Sequence, residues 1–332
     1  MKSFSSFLKN AEQNEFLRQI AFLHPSITQK LRTILLWVYS MKYISNLSDL
    51  DRELAYVDSQ FKISDDCGRI ALGNFCYKIK KESIPKDPYS LEYYDFQMGL
   101  YSHLSGRQSY NISNEESVFN QEEIKDAPFP YFTHNASTVG DQLLAIGFII
   151  KKTNLPANSN ILEFGPGWGN LTLAFVQMGH NVTCVEVEKR FIELIKYRTR
   201  EIKNQINFFQ QDMLKFSEFP DKKYDAVFFY ESFHHCCDPI KLIKNLSNII
   251  NDDGIICFAS EPIISSPSEI CPYPWGIRLD GMSVWSIRRF GWMELGFEID
   301  FFLKLLSRQG FKAERISSYV CPLTNLVIAR RV

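Results

Sequence analysis

A chain of 332 residues with 45% hydrophobic and 23% charged side chains can bury a sizeable core without disulfides or metal ions. Its formal net charge of −1 creates no global attraction to nucleic acid or to an anionic membrane, so we expect neither as a partner. The eight cysteines show no paired spacing, which excludes a disulfide framework and favours a cytoplasmic protein.

The first 130 residues predict a helical region that is separate from the rest of the chain. Apolar side chains recur at helical spacing up to about residue 65, as at Leu47, Leu50 and Leu54. The most apolar stretch, residues 31–43, is too short and too interrupted to span a bilayer. Residues 66–130 are rich in aromatics and prolines and predict short helices and loops. We expect residues 1–130 to act as a lid or as the contact of a homodimer.

From about residue 131 short apolar runs alternate with amphipathic stretches, which predicts a second, α/β domain over residues 131–332. Such alternation is typical of a mostly parallel sheet with helices on both faces. The last two strands are too close in sequence for a crossover helix, so they should pair antiparallel. Strands are predicted at residues 161–164, 182–187, 206–209, 226–230, 255–259, 313–317 and 326–329, and helices at residues 138–151, 170–178, 189–203, 239–250 and 297–308.

A glycine-rich turn follows the first of these strands, with Gly165, Gly167 and Gly169 ahead of a predicted helix. Glycine lets the backbone turn tightly and approach a ligand, and the helix N-terminus offers free N–H groups. Glu186 ends the next strand, about twenty residues later, where a carboxylate can accept hydrogen bonds from both hydroxyls of a ribose. Asp212 follows the third strand and can hold an adenine amino group. These placements predict a nucleotide-like ligand.

The glycine turn, the two acids and the strand–helix order resemble the class I S-adenosylmethionine-dependent methyltransferases over about residues 131–332. The resemblance implies a Rossmann-like seven-stranded sheet of order 3-2-1-4-5-7-6, with strand 7 antiparallel. It also implies S-adenosylmethionine as cofactor, S-adenosylhomocysteine as product and no metal. A nicotinamide dehydrogenase is disfavoured, because the third glycine comes one residue too early for G-x-G-x-x-G.

Cofactor roles follow from the resemblance position by position. Glu163 would lie near the methionine amino group, the glycines beneath the cofactor, Glu186 at the ribose, and Asp212 with Met213 beside the adenine. The residues assigned to cofactor binding in this way are Glu163, Gly165, Pro166, Gly167, Gly169, Glu186, Val187, Asp212, Met213 and Tyr230.

Candidate catalytic residues follow the fourth strand, beyond whose carboxyl end a ligand should lie. A hydroxyl acceptor must lose a proton, and the imidazoles of His234 and His235 titrate near neutral pH, so either is a candidate base. Glu231 and Glu261 are weaker candidates. Both histidines could instead have packing or capping roles. The run from His234 to Cys237 is too compact to wrap a tetrahedral ion, so no metal site is expected there.

The acceptor is the least determined part of the prediction. Residues 263–296 form a long connection with three tryptophans and three arginines, which either cover the substrate or simply pack the loop down. The D/N/S-P-P-Y/F signature of many amino-group methyltransferases is missing after the fourth strand. We therefore predict O-methylation of a small-molecule or glycan-type acceptor, as in small-molecule biosynthesis. N-methylation, protein methylation and a non-catalytic scaffolding module with the same fold remain alternatives.

Overall fold

The computed structural model describes residues 41–202, 205–218, 222–319, 321 and 324–332. The helices predicted before residue 41 lie outside this range. All eight cysteines lie within it and none forms a disulfide. In these described ranges, no helix is both long enough and apolar enough to cross a membrane.

The chain divides into two compact units whose boundary lies well before the predicted one. The described part of the first unit is residues 41–79 with Asp280–Met282, and the second contains Lys80–Leu279 and Ser283–Val332. The second unit thus begins at Lys80, whereas the sequence placed a boundary after residue 130. Long-range contacts explain the difference, because the hydroxyl of Tyr93 donates to the carbonyl of Trp275 at 2.6 Å. Such contacts between distant segments leave no local sequence pattern.

The first unit pairs two short strands and packs two helices. Strands β1 (Lys42–Ile44) and β2 (Phe75–Tyr77) are parallel, and helices α1 (Leu47–Phe61) and α2 (Asp65–Leu72) lie between them in sequence. Leu50, Leu54 and Val57 bury one face of α1, in agreement with their helical spacing.

The second unit contains the central sheet and the remaining helices. Its helices begin with three that precede the sheet, and the others alternate with strands. The helices are α3 (Leu91–Ser105), α4 (Gln121–Ile124), α5 (Ala136–Thr153), α6 (Asn170–Gln177), α7 (Lys189–Thr199), α8 (Met213–Glu218), α9 (Pro239–Ile249), α10 (Gly281–Arg289, whose first two residues belong to the first unit) and α11 (Ile299–Arg308). The strands of the sheet are β3 (Asn160–Phe164), β4 (Asn181–Glu186), β5 (Ile206–Gln210), β6 (Tyr224–Tyr230), β7 (Ile250–Ala259), β11 (Phe311–Ser317) and β12 (Asn325–Arg331).

The central sheet has the order β11-β12-β7-β6-β3-β4-β5. Strand β12 runs antiparallel to both of its neighbours, and the other pairs are parallel. This is the predicted Rossmann-like fold, and the seven strands lie in the order that the resemblance implied. The carboxyl ends of β3, β4, β5 and β6 therefore meet at one edge, where a ligand is expected.

The connection predicted as a long loop is instead an ordered second sheet within residues 263–298, which we call the insertion. Strands β8 (Ile263–Ile264), β9 (Trp275–Ile277) and β10 (Leu295–Glu298) form three strands in the order β8-β10-β9, with α10 between β9 and β10. Strands this short do not produce a recognisable period, so the sequence predicted no helix or strand within residues 263–296. Trp275 is fully buried here and its indole N–H donates to the carbonyl of Pro88, which is a packing role.

Aromatic side chains tie three neighbouring strands together directly beneath the edge of the sheet. Phe164, Phe229 and Phe258 stand in register on β3, β6 and β7, and their rings stack with centroids 5.0 and 5.1 Å apart. Phe233, just beyond β6, packs edge-on against Phe258 at 5.0 Å. The stack thereby fixes the backbone that carries the two histidines.

Replacing Phe258, which contacts both Phe229 and Phe233, should weaken the second unit strongly. The Phe258→Ala variant removes a fully buried ring and should lose about 3–5 kcal/mol of unfolding free energy, measured by urea denaturation. Tyr319→Ala, at a fully exposed ring, is the matched control and should change stability by about 0.5 kcal/mol or less. Equal effects of the two substitutions would contradict the role given to the stack.

Candidate active site

A cavity of about 290 Å³ opens at the carboxyl ends of β3, β4, β5 and β6. Most of the residues predicted for the site line it. They are Gly165, Pro166, Gly167, Glu186, Val187, Asp212, Met213, Tyr230, Glu231 and His235. Among the described residues, the predicted residues outside this lining are Glu163, Gly169, His234 and Glu261.

The glycine turn beneath the cavity requires glycine for two different reasons. Gly165 has φ of +60°, and a Cβ built on it would lie 2.7 Å from Cβ of Ser232. Gly167 has φ of +50°, but a Cβ there would meet no described atom within 4 Å. Gly165 therefore permits close backbone packing, whereas Gly167 leaves open space that a ligand can occupy.

Glu186 ends β4 as a buried carboxylate held by two backbone groups. Its Oε2 accepts a hydrogen bond from the N–H of Gly167 at 3.1 Å, and Oε1 accepts one from Glu188 at 3.0 Å. Burial raises its pKa, although these backbone donors oppose the shift. A carboxylate can accept about four hydrogen bonds, so Glu186 retains capacity for two hydroxyl groups in the cavity.

Glu163 lies apart from the cavity, between β3 and α6. It is 2% exposed, and its Oε2 accepts a hydrogen bond from the hydroxyl of Thr172 at 2.6 Å. Burial raises the pKa of Glu163 to about 7. A role near a methionine amino group remains a prediction for this residue, and it would require a water or a side-chain rearrangement to reach the cavity.

Two further predicted residues are already tied to the protein. Asp212 accepts a hydrogen bond from the N–H of Leu214 at 2.9 Å, and burial raises its pKa. The hydroxyl of Tyr230 donates to Oε1 of Gln142 at 2.7 Å. Both line the cavity, with Asp212 on the side of β5 and Tyr230 on the side of β6.

Glu261 organises the end of β6 from the neighbouring strand end. Its carboxylate accepts hydrogen bonds from the backbone N–H groups of Ser232, Phe233 and His234 at 2.9, 2.8 and 3.1 Å. Nδ1 of the His234 ring lies 2.8 Å from Oε2 of the same carboxylate. Burial alone would raise the pKa of Glu261, but the histidine and these N–H groups hold it below its usual value.

Backbone strain marks both strand ends at this point. Glu231 and Ser260 have φ of +52° and +54°, a region that costs a residue other than glycine about 1–3 kcal/mol. Glu231 lines the cavity, and burial raises its pKa. The hydrogen bonds to Glu261 offset the strain and aim the histidines towards the edge of the sheet.

His235 has a different partner from its neighbour. Its Nδ1 lies 3.1 Å from Oε2 of Glu115, which is an ion-pair distance without the alignment of a hydrogen bond. Burial would lower the pKa of His235, but Glu115, together with Glu294 and Glu261, raises it to about 9. The rings of His234 and His235 are 4.2 Å apart. The adjacent imidazoles therefore face two different carboxylates, Glu261 and Glu115.

Residues that the sequence analysis missed cover the cavity from above. Tyr110, Ile112, Glu115 and Phe129 line it, and all come from residues 110–129, which we call the cover segment. The side-chain amide of Asn170 donates to the carbonyl of Phe129 at 2.7 Å, which ties this segment to the glycine turn. The cover segment has no strand or helix period, so sequence patterns gave no signal for it.

The charged groups near the histidines form an ion-pair network. Donor atoms of His234, His235 and Glu294 lie within 4.8 Å of one another, a grouping that a metal ion can use. Each histidine, however, already directs Nδ1 at a carboxylate, and Glu294 lies 4.0 Å from Arg278. We therefore continue to expect no metal. Arg278 and Trp292, which lies edge-on to His235 at 6.1 Å, both pack inside the insertion.

The raised pKa of Glu163 predicts a pH-dependent stability. Its folded pKa of about 7 exceeds the ordinary 4.5, so wild-type stability falls as pH rises through this window. Above pH 7, Glu163→Gln should therefore be more stable than wild type by roughly 1–3 kcal/mol, and the gap should close near pH 4.5. Urea denaturation across this range measures the difference, with the exposed Glu314→Gln as control. A gap that does not change with pH would refute the assignment.

Part of the chain is similar to known methyltransferases. Residues 162–258 match a family model described as a methyltransferase domain. A mitochondrial ribosomal RNA small subunit methyltransferase of Arabidopsis thaliana is 32% identical over 74 residues, which are 22% of this chain and 19% of that protein. A ubiquinone biosynthesis O-methyltransferase of Vibrio cholerae is 22% identical over 117 residues, 35% of this chain and 48% of that one.

One solved structure is also similar to part of the chain. The N-methyltransferase NodS of Bradyrhizobium japonicum, in complex with S-adenosylhomocysteine, is 16% identical, with a TM-score of 0.43. The match covers 64% of this chain and 95% of that one. The chain spans about half or less of the length of the two curated relatives. Residues 162–258 therefore form a methyltransferase domain.

Proposed function

We propose that the protein methylates an oxygen atom of a small-molecule or glycan-type acceptor, with His234 as the general base. The observation that carries this proposal is the contact of 2.8 Å between Nδ1 of His234 and the buried carboxylate of Glu261. Because the pKa of Glu261 is lowered, the carboxylate is ionised at neutral pH and accepts Nδ1–H. Nε2 of His234 then carries the lone pair that takes a proton.

The residues around the cavity fit the cofactor of the family. Gly167 leaves space along the turn, Glu186 retains acceptor capacity for ribose hydroxyls, and Asp212 faces the same cavity. When bound, S-adenosylmethionine supplies a methyl group whose bond electrons pass to sulfur as an oxygen lone pair forms the new C–O bond. The chain positions the acceptor and removes its proton, and good alignment alone is worth about 7–11 kcal/mol of the barrier.

The two histidines have different roles in this proposal. His235 has a pKa of about 9 and is protonated at neutral pH, so it is unsuited to accept a proton. His234 does not line the cavity, but its ring lies 4.2 Å from the ring of His235, which does. The base is therefore one ring away from the space where an acceptor would bind, so the acceptor proton would reach Nε2 of His234 through one bridging water molecule.

The alternative functions account for fewer of these residues. N-methylation and protein methylation need no paired His–Glu base at this position, and a scaffolding module needs neither Glu186 nor Glu261. The expectation that nucleic acid is no partner rests on net charge alone, and the relatives include a ribosomal RNA methyltransferase. The eight free cysteines support our proposal of a cytoplasmic protein. A homodimer through the N-terminal region stays a prediction.

Removing the carboxylate of Glu186 should weaken cofactor binding. Hydrogen bonds to a charged group contribute about 1.5–3 kcal/mol, so Glu186→Ala should lower S-adenosylhomocysteine affinity about 10- to 100-fold. Calorimetric titration measures this loss, and Glu193→Gln, on the exposed side of α7, is the control. An affinity within about threefold of wild type would mean that Glu186 does not hold the ribose.

Removing the base should affect turnover but not cofactor affinity. On an acceptor found by screening phenols, sugars, carboxylic acids and amines for S-adenosylhomocysteine release, His234→Gln should lower kcat by about 10²- to 10⁴-fold. Glu261→Gln should also lower kcat, because it no longer fixes the Nδ1–H tautomer. His134→Asn, at an exposed histidine, is the control. Full activity of His234→Gln would exclude it as the base.

A further inference from the structure

Two adjacent histidines at the cavity differ in what holds their rings. His234 contacts Glu261, from the end of β7, whereas His235 contacts Glu115, from the cover segment. His235 lines the cavity and is therefore the one of the two placed to touch a bound acceptor. The charge of the His235 ring therefore influences which acceptor can bind.

Glu115 is fixed on both of its oxygens. Oε1 accepts a hydrogen bond from the N–H of Met293 at 2.7 Å, and Oε2 faces Nδ1 of His235 at 3.1 Å. The residue ends a 3-10 turn, residues 112–115, that begins at Asn111, whose side chain accepts a hydrogen bond from Ser113. Its side chain is 9% exposed. Glu115 thus joins the cover segment, the insertion and the cavity wall.

The other charged groups facing His235 reinforce the effect of Glu115. Glu294 and Glu261 are also close enough to stabilise a protonated ring, and the carboxylates together outweigh burial, which alone would lower its pKa. Further ionisable groups near this site include His234, Glu231 and Tyr110. Removing a buried carboxylate next to a charged ring should therefore change the protonation of His235 measurably.

We propose that Glu115 keeps His235 as an imidazolium facing the cavity, and that this positive charge selects acceptors whose reacting oxygen becomes negative, such as phenols, enols or carboxylic acids. The proposal rests on the function proposed above and specifies its substrate class. Glu115 is a positioning residue, because it acts through His235 rather than on the acceptor.

Electrostatics explains the selection. An opposite charge within about 4–6 Å lowers the pKa of an acidic group by 1–3 units, so a hydroxyl beside His235 loses its proton to His234 more easily. The hydroxyl of Tyr110 is also buried beside the cavity, close to Glu115. A protonated amine would instead be repelled by the imidazolium.

The experiment is a histidine NMR titration of the full chain saturated with S-adenosylhomocysteine. His235→Asn assigns the His235 signal, and wild type is compared with Glu115→Gln, which keeps an oxygen for the N–H of Met293. We expect wild-type His235 to stay protonated above pH 8, and its midpoint in Glu115→Gln to fall by at least about one pH unit. The adjacent, exposed Glu116→Gln is the matched control and should leave the midpoint unchanged.

The outcomes distinguish this proposal from the proposed O-methyltransferase function on which it rests. A wild-type midpoint near the ordinary 6.5, or no change in Glu115→Gln, would overturn the role of Glu115. Methylation of amines only would overturn the acceptor class. If S-adenosylhomocysteine binds but no acceptor in the screen is turned over, the proposed function fails, while the titration still decides what Glu115 does. With a phenolic acceptor, Glu115→Gln should move the rising limb of the kcat–pH profile to higher pH.

Discussion

The carboxylate of Glu261 accepts hydrogen bonds from three consecutive backbone N–H groups and contacts the ring of one histidine. This arrangement joins the ends of β6 and β7, the two neighbouring strands whose ends turn through left-handed backbone conformations. A buried carboxylate without such partners would be costly, so the contacts and the ionised state stabilise one another. The position, orientation and tautomer of His234 all follow from this one group.

The sheet below and the cover segment above both hold the residues that follow β6, including the two histidines. The phenylalanine stack beneath the strand ends fixes Phe233, so the following histidines cannot shift without disturbing the core. From above, Glu115 brings a negative charge to His235, in a region where low exposure strengthens electrostatic effects. The chemistry of the site therefore depends on three chain segments that are distant in sequence.

The sequence predicted the parts of the molecule that depend on local periodicity. The strands and their closing antiparallel pair follow from periodicity and spacing, whereas the resemblance to a known family supplied the strand order and most of the cavity residues between Gly165 and Tyr230. The three-stranded insertion escaped prediction because its strands have only two to four residues. Glu115 escaped because its partners, His235 and Met293, lie far along the chain and no pattern near residue 115 points to them.

The proposed methyl transfer requires the cofactor to lie in the cavity with its sulfur towards the histidines. A crystal structure with S-adenosylhomocysteine tests this directly. We expect both ribose hydroxyls within hydrogen-bond distance of the Glu186 carboxylate, the adenine beside Asp212, and the sulfur on the side of His235. A ribose bound elsewhere, or a sulfur separated from both histidines by the glycine turn, would contradict the account.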